Sequence, residues 1–168
     1  IDVVRSDDVT TSVFRNLGDN GYEGDANVQD IGEGGFQAGN VEFADINGDG
    51  LLDPTRLLPN EVRFRINLGY AQWTSWFSIA NAPVAANELD FASLEDLNGD
   101  GIDDLVVVLA DQVKYALNRN GAFFDEVVTL TSAGGANVPT RDATTTVLFA
   151  DMNANGSNDI VWVSSGGD

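Results

Sequence analysis

The chain contains neither cysteine nor histidine. Without cysteine it has no disulfide framework, no thiol nucleophile and no cysteine-bound zinc. Without histidine, the usual zinc sites and a histidine-assisted serine nucleophile are also excluded within this chain. These two absences remove several common classes of enzyme and metalloprotein.

Basic residues are scarce as well: 8 Lys and Arg stand against 27 Asp and Glu, for a net charge of −19. Such a charge repels the phosphate backbone, so no nucleic-acid partner is expected. No run approaches the roughly 20 apolar residues of a membrane-spanning helix, so no membrane span is expected. The chain starts "IDVVRSDDV", without an initiator methionine or a signal sequence, so we expect a piece of a longer protein.

Three oxygen-rich segments recur along the 168 residues: "DINGDGLLD" at 45–53, "DLNGDGIDD" at 96–104 and "DMNANGSND" at 151–159. Their last acids, Asp53, Asp104 and Asp159, are 51 and 55 residues apart, and Asp2 lies another 51 residues upstream. Because self-similarity at a fixed period indicates a repeat architecture, we treat 1–168 as a single fragment of repeats. The predicted repeats are 2–52, 53–103 and 104–158, with the start of another at 159–168.

Each repeat contains short runs rich in Val, Phe and Tyr, bounded by glycine or asparagine, such as "DLVVVLA", "QVKYALN" and "AFFDEVVTLT". No window shows an amphipathic helical stripe with caps. The pattern predicts an all-β fold of four antiparallel strands per repeat, which is typical of a β-propeller blade. About three blades make only a partial propeller, so either a longer chain or several copies would complete the ring.

The oxygen-rich segments have the ligand pattern of a calcium loop. Side chains at positions 1, 3, 5 and 9 and the carbonyl at position 7 can converge where glycine at position 6 permits a sharp turn. An EF-hand is rejected because position 12 is not acidic and the flanks are β-like. Asp, Asn and Gly also form ordinary turns, but three copies in phase favour metal. The predicted ligands are Asp45, Asn47, Asp49, the Leu51 carbonyl and Asp53; Asp96, Asn98, Asp100, the Ile102 carbonyl and Asp104; and Asp151, Asn153, Asn155, the Ser157 carbonyl and Asp159.

The third loop has fewer charged ligands than the other two. Asn155 replaces the acid at position 5, and Ala154 replaces the glycine at position 4. Fewer charges lower calcium affinity, so the first and second loops are expected to fill before the third.

The segments "FADINGDGLLD", "LEDLNGDGIDDLVVV" and "FADMNANGSNDIVWV" resemble FG-GAP/VCBS repeats of integrin α-chain propellers and bacterial surface proteins. The stretch "FADMNANGSNDIVWVSSGGD" is also similar to the propeller region in the B component of bacterial insecticidal toxin complexes. This resemblance implies a calcium-binding propeller that docks other toxin-complex subunits. It supplies no catalytic residue.

These observations favour a secreted, non-enzymatic, calcium-stabilised scaffold for protein–protein interaction, whose partners are other toxin-complex subunits or the remaining propeller blades. The alternative is a cell-adhesion or carbohydrate-binding propeller with an aromatic glycan platform of Tyr70, Trp73, Trp76 and Phe77, although such aromatics more often fill the space between blades. A third class, an enzyme using the carboxyl pairs Glu95–Asp96 or Asp103–Asp104, is disfavoured because these acids sit in or beside the metal loops.

Overall fold

The structure, a computed structural model, describes residues 3–6, 11–18, 21–28, 41–69, 72–131 and 138–165. Their strands form four antiparallel sheets, named here in chain order. The first sheet contains β1 (Val3–Ser6), β2 (Thr11–Asn16) and β3 (Tyr22–Val28). The second contains β4 (Val41–Ala44), β5 (Asp53–Leu58), β6 (Glu61–Phe64) and β7 (Phe77–Ala80).

The third sheet contains β8 (Ala92–Glu95), β9 (Asp104–Val108), β10 (Gln112–Ala116) and β11 (Val128–Thr131). The fourth contains β12 (Thr145–Ala150) and β13 (Asp159–Ser164). A single 3-10 turn at Leu89–Phe91 precedes β8. Nowhere in the described ranges is there a helix long and apolar enough to cross a bilayer.

The second and third sheets confirm the all-β prediction of four antiparallel strands per unit. Their spatial orders, β4-β5-β6-β7 and β11-β10-β9-β8, follow the chain without crossovers. Counted from Asp53, however, the predicted repeat 53–103 takes β5 to β7 from one sheet and β8 from the next. The predicted repeat boundaries differ from the sheet boundaries because a sequence period can be counted from any position.

Strand β9 shows why the apolar run "LVVV" suits the interior. Side chains alternate between the two faces of a strand. Leu105 and Val107 therefore pack against the second sheet, and Val106 and Val108 pack towards the fourth. All five residues of β9 are buried, as expected for a strand covered on both faces.

Two hydrophobic clusters join consecutive sheets. The larger one lies between the second and third sheets and contains Ala44, Ile46, Leu57, Val62, Phe64, Ile79, Leu94, Leu105 and Val107, with Ala82 and Val84 from the connection. The smaller one lies between the third and fourth sheets and contains Val106, Val108, Val113 and Val138, covered by Val147, Phe149, Ile160 and Trp162 among others. The sheets are therefore stacked face to face in chain order, which brings their oxygen-rich loops side by side.

Candidate metal centres in the strand-joining loops

The three oxygen-rich segments lie at equivalent places in successive sheets. Loop 1 (45–53) joins β4 to β5, loop 2 (96–104) joins β8 to β9, and loop 3 (151–159) joins β12 to β13. In each loop the position-6 glycine has positive φ, 82° at Gly50, 81° at Gly101 and 93° at Gly156, which is the left-handed turn predicted from the sequence. Each loop therefore turns sharply between the first two strands of its sheet.

In loop 1 the first acid organises the turn. Asp45 Oδ1 accepts the amide hydrogens of Gly48 (2.8 Å) and Asp49 (3.2 Å), and Asp45 Oδ2 accepts that of Gly50 (2.7 Å). Asn47 Oδ1 accepts the Asp49 amide at 3.0 Å, and Asp49 Oδ1 accepts the Leu51 amide at 2.9 Å. The oxygen side chains thus point inward over their own backbone, where they fix the loop.

Loop 2 has the same arrangement. Asp96 Oδ1 accepts the Gly99 amide (2.7 Å) and Asp96 Oδ2 the Gly101 amide (2.9 Å). Asn98 Oδ1 accepts the Asp100 amide at 2.8 Å. Asp100 Oδ1 accepts the Ile102 amide at 2.9 Å. The repeated sequence therefore produces a repeated loop conformation.

Loop 3 keeps the turn but differs at its last acid. Asp151 Oδ2 accepts the Gly156 amide at 2.9 Å, and this bond is the main cause that lowers the pKa of Asp151. Asp159 Oδ2 accepts the Met152 amide (3.0 Å) and the Asn153 side-chain amide (3.2 Å), so two donors already surround that oxygen. Ala154 has φ of 60°, a conformation that costs a non-glycine residue energy. Loop 3 is accordingly the least suited of the three to a cation.

The last acids of loops 1 and 2 are fully buried, unlike that of loop 3. Asp53 and Asp104 are each 0% exposed. Burial, which disfavours the charged form, is the main cause that raises the pKa of each carboxyl from 3.8 to about 6. Nearby loop acids add to the rise, Asp49 and Asp45 for Asp53 in particular. Burial therefore keeps solvent from both carboxylates.

Two asparagines that the sequence analysis missed hold these buried acids. The Asn67 amide donates to Asp53 Oδ1 at 2.7 Å, and the Asn118 amide donates to Asp104 Oδ1 at 2.8 Å. The signal was available, because Asn67 and Asn118 each follow their acid by 14 residues, and Asn16 follows Asp2 by the same distance.

The second carboxylate oxygen distinguishes the two acids. Asp104 Oδ2 accepts the Leu97 amide at 3.4 Å, whereas Asp53 Oδ2 is buried without a hydrogen bond of normal geometry, although the nearby Ile46 amide partly offsets the rise in the pKa of the Asp53 carboxyl. An orphaned buried carboxylate oxygen costs free energy unless an unrecorded partner, such as an ion, satisfies it. The charges of Asp45 and Asp49 also raise the pKa of the Asp53 carboxyl, so a cation bound in loop 1 would offset the repulsion among these three acids.

Successive loops are also bonded to each other. The Asp103 amide donates to the Asp45 carbonyl (2.8 Å), and the Asp45 amide donates to Asp103 Oδ2 (2.6 Å). The same contact recurs one sheet later, where the Asn158 amide donates to the Asp96 carbonyl at 2.7 Å. Position 8 of each later loop therefore contacts position 1 of the loop before it.

Glycine at position 4 permits the close approach of these loops. A Cβ built on Gly99 would lie 3.3 Å from the Gly156 backbone, and one on Gly48 would lie 2.8 Å from an Ile102 side-chain carbon. Both glycines also have positive φ, 79° and 74° respectively. A larger residue at either position would separate neighbouring loops.

The predicted ligands are thus placed together loop by loop, but not as carboxylate clusters. Within the described ranges, no three or more Asp, Glu, His or Cys side chains form a group that could hold a metal ion. Loops 1 and 2 each contribute three Asp to the predicted ligand sets, so in the described conformation these carboxylates do not converge into such a group; the sets also require amide oxygens and a backbone carbonyl. The ligand sets remain a prediction.

The carboxyl pairs considered for catalysis have structural contacts. Glu95 accepts hydrogen bonds from Ser93 Oγ and Asn158 Nδ2, both at 2.9 Å. Asp103 accepts the Asp45 amide, and Asp104 accepts the Asn118 amide. These bonds join strands and loops.

The aromatic residues considered for glycan binding are dispersed. The guanidinium groups of Arg56 and Arg65 lie over the Trp76 ring, 5.1 and 5.6 Å from its centroid. Phe77 stacks on the core residue Phe64 with ring centroids 5.7 Å apart. Trp73 is half-buried, and Tyr70 lies outside the described residues. Trp76 and Phe77 are therefore engaged by neighbours of their own sheet.

A buried acid between the second and third sheets is expected to make stability depend on pH. Burial raises the pKa of Glu42 from 4.5 to about 7, with smaller contributions from the Glu95 and Asp103 carboxylates. Because the folded-state pKa lies above the unfolded one, a stability cost develops as pH rises from about 4.5 through 7. Replacing Glu42 with glutamine should stabilise the calcium-free protein by about 1–3 kcal/mol at pH 8 and by less than about 1 kcal/mol at pH 5.

Urea unfolding of both proteins at the two pH values measures this difference. Glu61→Gln is the control in the same sheet, because bonds from Arg63 and Ser78 lower the pKa of Glu61. That variant should gain no stability at pH 8. Equal gains for Glu42→Gln at both pH values would contradict the explanation.

The repeated loop, its flanking strands and the 14-residue asparagine spacing point to one repeat family. Residues 96–162 match the FG-GAP-like repeat family. The FG-GAP-like segment covers loops 2 and 3 and the strands between them, so the resemblance noted from the sequence is confirmed there. No curated protein matches the chain significantly.

Several solved structures match nearly the whole chain in fold. The Photorhabdus luminescens Tc holotoxin pore matches 96% of this chain at 24% identity with a TM-score of 0.81. A TcdB2-TccC3 crystal structure matches 91% at 24% identity and a TM-score of 0.68. An Agrocybe aegerita lectin that recognises non-reducing terminal N-acetylglucosamine matches 90% of this chain and 40% of its own at 22% identity and a TM-score of 0.64.

These likenesses confirm the predicted β-propeller-like architecture of four-stranded antiparallel units. The chain spans only 8% of the length of each of the two toxin chains.

Proposed function

We propose that this chain is a calcium-stabilised, non-enzymatic segment of a β-propeller that serves as a scaffold for protein–protein interaction in an exported toxin component. The observation that carries the calcium part is the buried, unpartnered Asp53 Oδ2 beside two further loop acids. Folding such a carboxylate without a counter-charge is costly.

In this proposal loops 1 and 2 hold one calcium ion each, and loop 3 fills last. The ligands are the residues predicted from the sequence for each loop. The cation supplies positive charge between the first two strands of a sheet, which offsets the repulsion among the loop acids. Asp53 and Asp104 attach the ion to the inner strands β5 and β9, and Asn67 and Asn118 orient those two carboxylates.

Calcium suits these loops better than other common cations. The donors are carboxylate, amide and carbonyl oxygens, and the chain contains neither thiol nor imidazole. Hard oxygen donors favour calcium or magnesium over zinc and copper. Calcium accepts more ligands and less regular geometry than magnesium. Each predicted set draws its ligands from five positions of one loop, which suits calcium better.

The scaffold part of the proposal is supported by the similar toxin structures, since TcdB2-TccC3 and the Tc holotoxin pore are multi-component assemblies. The partners proposed are other toxin-complex subunits or further propeller blades. An extracellular location fits weak calcium sites, because extracellular modules bind calcium with Kd values of about 10⁻⁴–10⁻³ M. The hydrogen bonds that Glu95 and Asp103 accept from neighbouring strands and loops support structural rather than catalytic roles for these acids.

A calcium titration followed by thermal melting tests the proposal. With two sites in that affinity range, 1 mM calcium should stabilise the chain by about 1–3 kcal/mol. For a domain of this size this corresponds to a rise in Tm of about 2–10 °C. The increase should be reversed by EGTA and should be much smaller with 1 mM magnesium.

Site-resolved amide spectra complete the test, with the Gly50, Gly101 and Gly156 signals reporting on loops 1, 2 and 3. The first two signals should shift at lower calcium concentration than the third. An unchanged Tm together with unchanged glycine signals would refute calcium binding. Turnover of glycosidase or esterase substrates above the buffer rate would refute the non-enzymatic part.

A further inference from the structure

Loops 1 and 2 share a hydrogen-bonded contact that includes residues of both candidate sites. Asp45 begins loop 1 and is bonded in both directions to Asp103, at 2.8 and 2.6 Å. Asp103 directly precedes Asp104, the buried last acid of loop 2. The backbone of Asp45, a candidate ligand of loop 1, is therefore held against Asp103, which directly precedes Asp104, a candidate ligand of loop 2.

Asn118 completes this contact from the end of β10. Its side-chain nitrogen donates to the Ile46 carbonyl of loop 1 and to the Asp103 carbonyl of loop 2, both at 3.0 Å. Its backbone amide donates to Asp104 Oδ1 at 2.8 Å. Asn118 is 1% exposed, so water cannot replace these bonds. One side chain thus connects two loops that are about 50 residues apart in sequence.

Asn67 occupies the equivalent position one sheet earlier and provides a comparison. Its side-chain nitrogen donates to the Leu52 carbonyl of its own loop at 2.9 Å, and its amide holds Asp53. Asn67 also accepts the Gly69 amide at 2.9 Å, so its described side-chain bonds reach loop 1 but not loop 2, whereas those of Asn118 reach both loops.

We propose that Asn118 is a positioning residue that couples loops 1 and 2, so that binding of a divalent cation in one loop raises the affinity of the other. The inference rests on the proposed calcium function. It also rests on the independent observation that the buried Asp53 Oδ2 of loop 1 lacks a partner.

The physical basis of the coupling is that a cation bound in one loop also orders part of the other loop. A cation that fixes the carboxylates of loop 1 also fixes the Asp45 and Ile46 backbone, and with it the bonded Asp103 and Asn118. Loop 2 then loses less conformational entropy when it binds its own cation. Couplings of this kind change affinity at least about five-fold, and the effect of each site on the other must be equal.

Reciprocity is tested with two matched variants, Asp49→Asn and Asp100→Asn. Each weakens one site by removing a position-5 charge, and each introduces the residue that loop 3 has there, Asn155. Calcium is titrated into the ¹⁵N-labelled chain, and the Gly50 and Gly101 amide signals report the two loops separately. Asp49→Asn should lower the affinity of loop 2 about five-fold, and Asp100→Asn should lower that of loop 1 by the same factor.

Asn118→Ala tests the residue itself, because it removes the two side-chain bonds that join the loops, together with the bond from the Gly121 amide, but keeps the backbone amide on Asp104. In this variant the effect of Asp49→Asn on loop 2 should fall clearly below about five-fold, because, of the described bonds between these loops, only those between Asp45 and Asp103 remain. The control Asn67→Ala removes the bonds to the Leu52 carbonyl and from the Gly69 amide, neither of which reaches loop 2, and should retain the coupling of about five-fold. Should Asn118→Ala fail to fold, the reciprocal test in the native background still decides the coupling.

The outcomes separate this inference from the proposed function. No calcium-dependent shift in the native chain would refute calcium binding itself. Binding at both loops with unaltered affinities in Asp49→Asn and Asp100→Asn would refute the coupling and leave calcium binding intact. Coupling that survives undiminished in Asn118→Ala would refute the role assigned to Asn118.

Discussion

Replacing Asp53 with asparagine is expected to stabilise the protein without calcium, and calcium is expected to cancel most or all of that gain. Without the ion, the substitution removes a buried charge whose Oδ2 has no partner and which lies near Asp45 and Asp49. The gain should be about 1–2 kcal/mol, since unsatisfied buried polar groups cost about 1–3 kcal/mol. In 10 mM calcium the variant should lack the contribution of loop 1, about 1.4–2.7 kcal/mol for a Kd of 10⁻³–10⁻⁴ M.

Urea unfolding in EGTA and in 10 mM calcium measures the change in stability without calcium and with calcium. Asp159→Asn is the control, because Asp159 holds the same position in loop 3 but its Oδ2 already has two hydrogen-bond donors. The control should change stability by less than about 1 kcal/mol in either buffer, as partly exposed sites usually do. Destabilisation of Asp53→Asn by the same amount in both buffers would indicate an ordinary buried polar residue without a cation.

Replacing Leu105 with alanine is expected to reduce the free energy of unfolding by about 2–5 kcal/mol. Leu105 is 1% exposed on the inner strand β9, and it belongs to the cluster that joins the second and third sheets. Alanine would remove apolar contacts on that face and leave a cavity where rigid sheets cannot collapse. The substitution therefore weakens the packing between the two sheets that carry loops 1 and 2.

Chemical denaturation monitored by tryptophan fluorescence and by circular dichroism measures the loss in free energy of unfolding caused by Leu105→Ala. Leu148→Ala is the matched control, since Leu148 is 51% exposed on β12. The control should lose less than about 1 kcal/mol. Similar losses for both variants would show that burial between sheets is not the main source of stability here.

The strands could be predicted from the sequence because their signals are local. The run at 105–108 is apolar at every position, and it forms the strand that is covered on both faces. The glycines at position 6 likewise adopt the predicted turn in all three loops. The sheet boundaries were not predicted, because a period of about 50 residues does not indicate which strand begins a sheet.

The candidate sites were only partly predictable. Three nearly identical segments predicted three similar loops, and the loop hydrogen bonds repeat accordingly. The sequence distinguished loop 3 only by its lower charge. The two donors on Asp159 come from Met152 and Asn153 of the same loop, but the sequence did not show that both would meet one carboxylate oxygen, because that depends on the folded conformation of the loop.

By itself, the sequence determined the repeat, the four-stranded antiparallel unit and the oxygen-rich turn, because backbone conformation and side-chain alternation follow from neighbouring residues. Only the tertiary structure decided that Asp53 is buried with one oxygen unpartnered, and that Asn118 reaches Ile46 from 72 residues away. Burial and bonds between sheets depend on which surfaces are stacked together, and that stacking brings together residues with no local relation in the chain.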